Sequence, residues 1–267
     1  MMAGNRILHE RVALARMAPS RFVRPQQLIS STVRGAKSMS IPAKATLATV
    51  GSHAAVRRAI DVRIRFTDGF STTARVFTFN GLIDGREHLL LALGNWEQYA
   101  PNSSQQSVTA PLARLHSECL TGDVFGSERC DCGPQLRESV ETIAATGGFL
   151  LYLRQEGRGI GLYAKLDAYA LQEVGLDTYE ANLALGHGED ERDYTEAAQM
   201  LDALGIGSVR LLTNNPDKTR QLTALGIDVV EEIPTGVHLT TANARYLTAK
   251  RDRTAHTLDI SSARTRT

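Results

Sequence analysis

Cysteine, proline and acid near the start are all scarce in this chain, and each scarcity excludes something. Three Cys among 267 residues are too few, and odd in number, for the disulfide framework of a small secreted domain. Eight Pro and 22 Gly without a fixed period exclude a collagen-like or low-complexity chain. No apolar run reaches the roughly 18 residues of a membrane-spanning helix. Acid is nearly missing from residues 1–60, where ten Lys/Arg face Glu10 alone, a balance of 10 − 1 = +9. The whole chain carries +1, so the remainder carries 1 − 9 = −8. An acidic body argues against a nucleic-acid surface, and an anionic ligand would need a local basic pocket. What is present, 42% hydrophobic and 22% charged residues in 29.1 kDa, is ordinary globular composition with enough chain for a real core.

Residues 1–55 read as a basic, disordered leader. Arg6, Arg11, Arg16, Arg21, Arg24 and Arg34 are scattered among Ser, Ala and Met, and no signal-peptide apolar stretch is present. An organelle-import segment shares this composition, and so does a basic tail. Met39 near its end offers a third reading, a start further along.

From residue 60 the pattern becomes regular. Val62, Ile64 and Phe66 alternate with polar residues, Asp68-Gly69 offers a turn, and Val76–Phe79 and Leu89–Leu93 read as strands. After about residue 133 helix and strand alternate. Leu136, Val140 and Ile143 have helical spacing up to Gly147-Gly148, and Phe149–Leu153 is a short apolar strand. Tyr163–Val174 and Thr195–Leu204 read as helices closed by Gly175 and Gly205. Val209–Leu212 is a strand, Asp217–Leu225 a helix closed by Gly226, and Ile227–Val230 a strand. The expected class is α/β (α+β), a β-rich first part followed by helix and strand layers. The expected domain spans 56–260, with 261–267 as a tail.

All three Cys fall within Cys119–Cys132 as C-x10-C-x-C. As small core hydrophobes, Cys130 and Cys132 would share one face of a strand. The charged neighbours Glu128, Arg129 and Asp131 favour a metal site instead. Three thiolates leave a tetrahedral zinc one open position, the arrangement of catalytic sites. His116, three residues before Cys119, is a possible fourth ligand that would make the site structural.

Two segments suit phosphate. Arg154-Gln155-Glu156-Gly157-Arg158-Gly159-Ile160-Gly161 leaves a strand and enters a helix, at the strand end where α/β folds bind ligands. It matches neither the P-loop nor the dinucleotide fingerprint. Thr213-Asn214-Asn215-Pro216-Asp217-Lys218 places a helix cap, a first-turn Pro and a Lys beside free N–H groups; a plain cap explains it equally well. Glu189–Asp193 is a charge run of the kind that usually faces solvent.

Together, Arg114–Asp123, Arg129–Gly133, Arg154–Leu162, Gly186–Asp193 and Leu211–Lys218 resemble the GTP cyclohydrolase II family in order and spacing, over roughly 60–258. The resemblance implies zinc on Cys119, Cys130 and Cys132. It implies substrate contacts from Arg114, Leu115, His116, Ser117, Glu118 and Gln135. Further contacts come from Glu156, Gly157, Arg158, Thr178, Thr213 and Lys218. Tyr169 would stand near the reacting C8, Asp190 would accept a proton, and Arg192 would take the nucleotidyl group. The implied reaction converts GTP, with Mg²⁺ on its phosphates, into a diaminopyrimidinone ribosyl phosphate, formate and diphosphate, opening riboflavin biosynthesis. The implied setting is a cytoplasmic homodimer, with no nucleic-acid or membrane partner. Some members carry an upstream dihydroxybutanone-phosphate synthase domain; about 55 residues are too few for one, so a single activity is expected. Gly159 stands where some members have Asn. Two rivals are a paralogue that keeps the formyl group, which a changed Tyr169 would favour, and a zinc or nucleotide-binding regulator without turnover.

Overall fold

Alternation builds the first hairpin. In the structure, a computed structural model that describes residues 54–101, 103, 107–188 and 190–239, β1 (Ala55–Arg65) pairs antiparallel with β2 (Ser71–Asn80). The turn between them uses Gly69 at φ +96°, and Phe70 N–H donates to Asp68 Oδ1 at 3.1 Å, as an Asx turn does. The leader expected over 1–55 lies outside the described residues except for its last two, and the 261–267 tail lies wholly outside them.

Five more strands follow: β3 (Leu89–Leu93), β4 (Leu112–Ser117), β5 (Gly148–Leu153), β6 (Ser208–Leu212) and β7 (Asp228–Ile233). The sheet order is β1-β2-β3-β5-β4-β6-β7. Pairing is antiparallel from β1 to β5 and parallel across β5, β4, β6 and β7. The helices are α1 (Leu120–Asp123), α2 (Cys132–Thr146), α3 (Leu162–Glu173), α4 (Thr178–Ala184), α5 (Thr195–Asp202) and α6 (Pro216–Ala224). The α/β class is thus observed. No helix among the described residues is long and apolar enough to cross a membrane.

The strand pleat sorts side chains onto two faces. On one, α2 lays Val140 and Ile143 against Leu112, Leu150 and Leu212. On the other, α5 and α6 lay Met200, Leu201 and Leu222 against Leu115, Leu151 and Leu211. Each such side chain contributes on the order of 2 kcal/mol by leaving water. β4 leads through α2 to β5 on one side, while β6 leads through α6 to β7 on the other. Connections that part in this way open a crevice at the carboxyl ends of β4 and β6.

β4 was not legible as a strand, because Arg114 and His116 alternate with apolar residues as though facing water. Both are buried, at 6% and 3% exposure, because α2 covers their face. Cys130 and Cys132 do not share a strand: Cys130 lies in the turn before α2, and Cys132 is its first residue.

Candidate active site

The crevice gathers residues from segments that lie far apart in the sequence. Its walls include all three Cys, Arg114, His116, Ser117, Glu118, Gln135, Glu156, Gly157, Arg158, Tyr169, Thr178, Arg192, Thr213 and Lys218. Two expected residues are placed differently. The Leu115 side chain is fully buried in the apolar core, and only its carbonyl serves the site, accepting from Lys218 Nζ at 2.7 Å. Asp190 is not on the wall but is held by Arg192, whose Nε donates to Oδ1 at 2.8 Å.

The thiols come together because α1 and α2 meet closely. Cys119 precedes α1, Cys132 opens α2, and their sulfurs with that of Cys130 lie within 4.8 Å of one another. A Cβ on Gly122 would stand 2.7 Å from the Cys130 sulfur, and one on Gly133 would stand 2.5 Å from the Gly122 carbonyl oxygen. Glycine at both positions is what this approach requires. Neither ring nitrogen of His116 joins the sulfur group. Its Nε2 instead meets both oxygens of Asp123 at 3.1 Å, and its ring stacks on Tyr152. Burial lowers the His116 pKa and so favours the neutral ring.

The donor set suits a thiophilic dication. Hydrogen bonds from Cys130 and Cys132, helped by the Lys165 ammonium, hold the Cys119 thiol far below its usual range. The Cys119 sulfur in turn pushes Cys130 up to about 11 and raises Cys132 well above the usual thiol range. Three sulfurs this close together, two of them on buried residues, cannot all carry charge without a cation between them, and a bound dication removes that penalty.

Around the thiols the wall is braced. Arg114 donates to the Leu212 carbonyl at 2.9 Å and to Gln135 Oε1 at 3.2 Å, and Gln135 donates to Asp131 at 2.7 Å. Arg114 Nε, His116 Nδ1 and Asp131 Oδ1 are buried without a hydrogen-bond partner among the described residues, polar capacity that a ligand in the crevice can take up. Glu156 accepts from Leu120 N at 2.7 Å and from Lys165 Nζ at 2.7 Å. Arg158 is the one non-glycine residue with positive φ among those described, at +64°. Its carbonyl accepts from Glu191 N at 3.0 Å, and Gly159 at φ +99° lets Glu191 approach. That latch joins the glycine loop to the charge run, whose Asp190, Glu191 and Asp193 stay exposed while Arg192 alone turns into the crevice wall. Burial works to raise the Asp190 pKa, but the Arg192 hydrogen bond and charge outweigh it, leaving the carboxylate ionised.

The turn before α6 (Thr213–Lys218) forms as a capped helix start. Asn215 caps α6, its Oδ1 accepting from Asp217 N at 3.0 Å, with Pro216 in the first turn. Thr213, Asn214 and Lys218 are buried beside it.

Lys165 was missed. It donates to the Cys119 sulfur at 3.1 Å and pairs with Glu156. A signal was available: Lys165, Ala168, Tyr169 and Gln172 all line the crevice at i, i+3, i+4 and i+7, one face of α3.

An α/β fold with a three-thiol centre and a cation-rich wall at the carboxyl ends of parallel strands defines an enzyme that receives an anionic substrate. The GTP cyclohydrolase II family model matches residues 58–234. GTP cyclohydrolase-2 of Vibrio cholerae is 48% identical over 207 residues, covering 78% of this chain and 100% of that protein. That of Vibrio parahaemolyticus is 47% identical over the same length. The riboflavin biosynthesis protein RibBA of Porphyromonas gingivalis is 48% identical over 185 residues, 69% of this chain and 44% of that protein. The chain is an enzyme of the GTP cyclohydrolase II family.

Proposed function

We propose that this enzyme hydrolyses GTP to a diaminopyrimidinone ribosyl phosphate, formate and diphosphate, as the entry reaction of riboflavin biosynthesis. The observation that carries the reading is convergence. Three thiols from 119–132 and the Thr213–Lys218 turn, far apart in sequence, line one crevice with Tyr169 and Arg192.

The side chains divide the work by their chemistry. Lys218, Thr213 and the α6 N-terminus offer charge and N–H groups to the phosphates. Arg192 and Arg158 offset charge on the triphosphate, which brings about four negative charges and its own Mg²⁺. In this reading Arg192, which lines the crevice, receives the nucleotidyl group, and the ionised Asp190 beside it takes up a proton. Gln135 and Tyr169 flank the thiols, where the base would rest. Cys119, Cys130 and Cys132 would hold zinc, which supplies Lewis acidity and a water of lowered pKa for hydrolysis at carbon. Glu156, engaged by Lys165 and Leu120, keeps the glycine loop against the thiol centre. The cytoplasmic, homodimeric setting rests on the family resemblance. A formyl-retaining outcome is disfavoured by the presence of Tyr169.

The deciding experiment supplies purified protein with GTP and Mg²⁺ and measures formate and diphosphate separately, with zinc content alongside. Wild type should release both in equal amounts. Cys132→Ser should lose zinc and formate while still releasing diphosphate. Formate from the zinc-free variant would refute the assignment of zinc to the hydrolytic step, and ring opening without formate would favour the paralogue.

A further inference from the structure

Behind the crevice, outside its walls, lies a polar cluster that the proposed chemistry does not use. Asp84 and His88 belong to the β2–β3 connection, and Glu196 belongs to α5; their potential ligand atoms lie within 4.8 Å of one another. His88 is 1% exposed and Glu196 is 4% exposed, and Glu196 Oε2 has no hydrogen-bond partner among the described residues.

The cluster has the composition of a cation site, but its hydrogen bonds argue otherwise. Arg154 N–H points at His88 Nδ1 at 2.9 Å, so Nδ1 is the acceptor and the ring proton sits on Nε2. Nε2 then donates to Asp84 Oδ2 at 2.9 Å. Neither nitrogen has a lone pair left for an ion. Asp84 is in turn fixed by Arg86, whose backbone N donates to Oδ1 at 3.0 Å.

The target of this relay is the first residue of the glycine loop. β3 and β5 stop pairing at Leu89 and Tyr152, and beyond that point side chains take over the ladder. His88 accepts the Arg154 N–H, and Arg86 Nη1 donates to the Arg154 carbonyl at 2.8 Å. Arg154 Nε donates to Glu118 Oε2 at 2.8 Å. Glu118 is a wall residue next to Cys119.

We propose that Asp84 and His88 are positioning residues of the reaction. They lock the Arg154 backbone so that its guanidinium holds Glu118 against the thiol centre. The kinetic part of this inference rests on the proposed function; the geometric part does not.

The test exploits which nitrogen matters. Asn places its side-chain oxygen where Nδ1 stands and can accept the Arg154 N–H; Gln and Leu cannot. Amide hydrogen exchange of the 150–158 segment should accelerate in His88→Leu and His88→Gln and stay slow in His88→Asn. Formate release should show the same order, with kcat down about tenfold or more in Leu and Gln, little change in KM, and recovery in Asn. Loss in all three alike, or in none, would overturn the inference. A wild type inactive on GTP would remove the proposed function, while the exchange pattern would still decide the positioning role.

Discussion

The Lys165 ammonium stands 3.1 Å from the Cys119 sulfur and donates to it from a helix 46 residues downstream. The same ammonium pairs with Glu156 at 2.7 Å, both side chains being about nine-tenths buried. Burial works to lower the Lys165 pKa, but Glu156 and the Cys119 sulfur outweigh it, so the cation is firmly protonated. One lysine thus ties the glycine loop to the thiol centre.

Removing one partner of that pair strands the other. Lys165→Ala should destabilise the fold by about 3 kcal/mol, read from urea unfolding, because it leaves the Glu156 carboxylate buried and unpaired. Lys165→Met with Glu156→Gln should cost clearly less than the sum of its single changes. Additive losses would show that the pair does not act as a unit.

Gly122→Ala isolates the thiol centre from the fold. Gly122 lies in α1, where alanine suits the backbone, yet its Cβ would sit 2.7 Å from the Cys130 sulfur and 3.2 Å from that of Cys119. Under the proposed function, the variant should keep its circular dichroism but bind little zinc and release little formate. Full zinc occupancy by metal analysis would contradict the close packing.

Glu196 sets a pH dependence of stability. Burial raises its carboxyl to about 7, with Asp84 and Asp193 adding to the rise and Arg86 opposing it. The folded pKa lies above the ordinary carboxyl value of 4.5, so the folded state binds the extra proton. The stability is therefore fully present below about pH 4.5 and declines as pH rises through 7. The loss is on the order of 3 kcal/mol. Glu196→Gln should flatten this decline, so the difference in urea midpoint between variant and wild type should widen from pH 5 to pH 7 and then level off. A constant difference would place the carboxyl at an ordinary pKa.

Local chemistry was enough to locate much of this protein. The period of two in Val62–Phe66, the apolar run Phe149–Leu153 and the Asn215-Pro216 cap are properties of neighbouring residues, and each element formed where its pattern stood. The crowding of Cys119, Cys130 and Cys132 was equally local, because ligand types close in sequence need little folding to meet. What the chain alone left open was everything set by distance across the fold. His116 was a possible ligand until Asp123 and Tyr152 claimed its ring. Leu115 was one residue of a motif until the strand pleat turned it into the core. The charge run is solvated at Asp190, Glu191 and Asp193 as its pattern suggests, but its Arg192 turns into the crevice, which the run alone did not announce. Lys165 and His88 act through partners 46 and 66 residues away, and no spacing rule reaches that far. Pattern governs which elements form; only the packing of those elements decides which polar groups are buried together, and burial is what turns a side chain into part of a site.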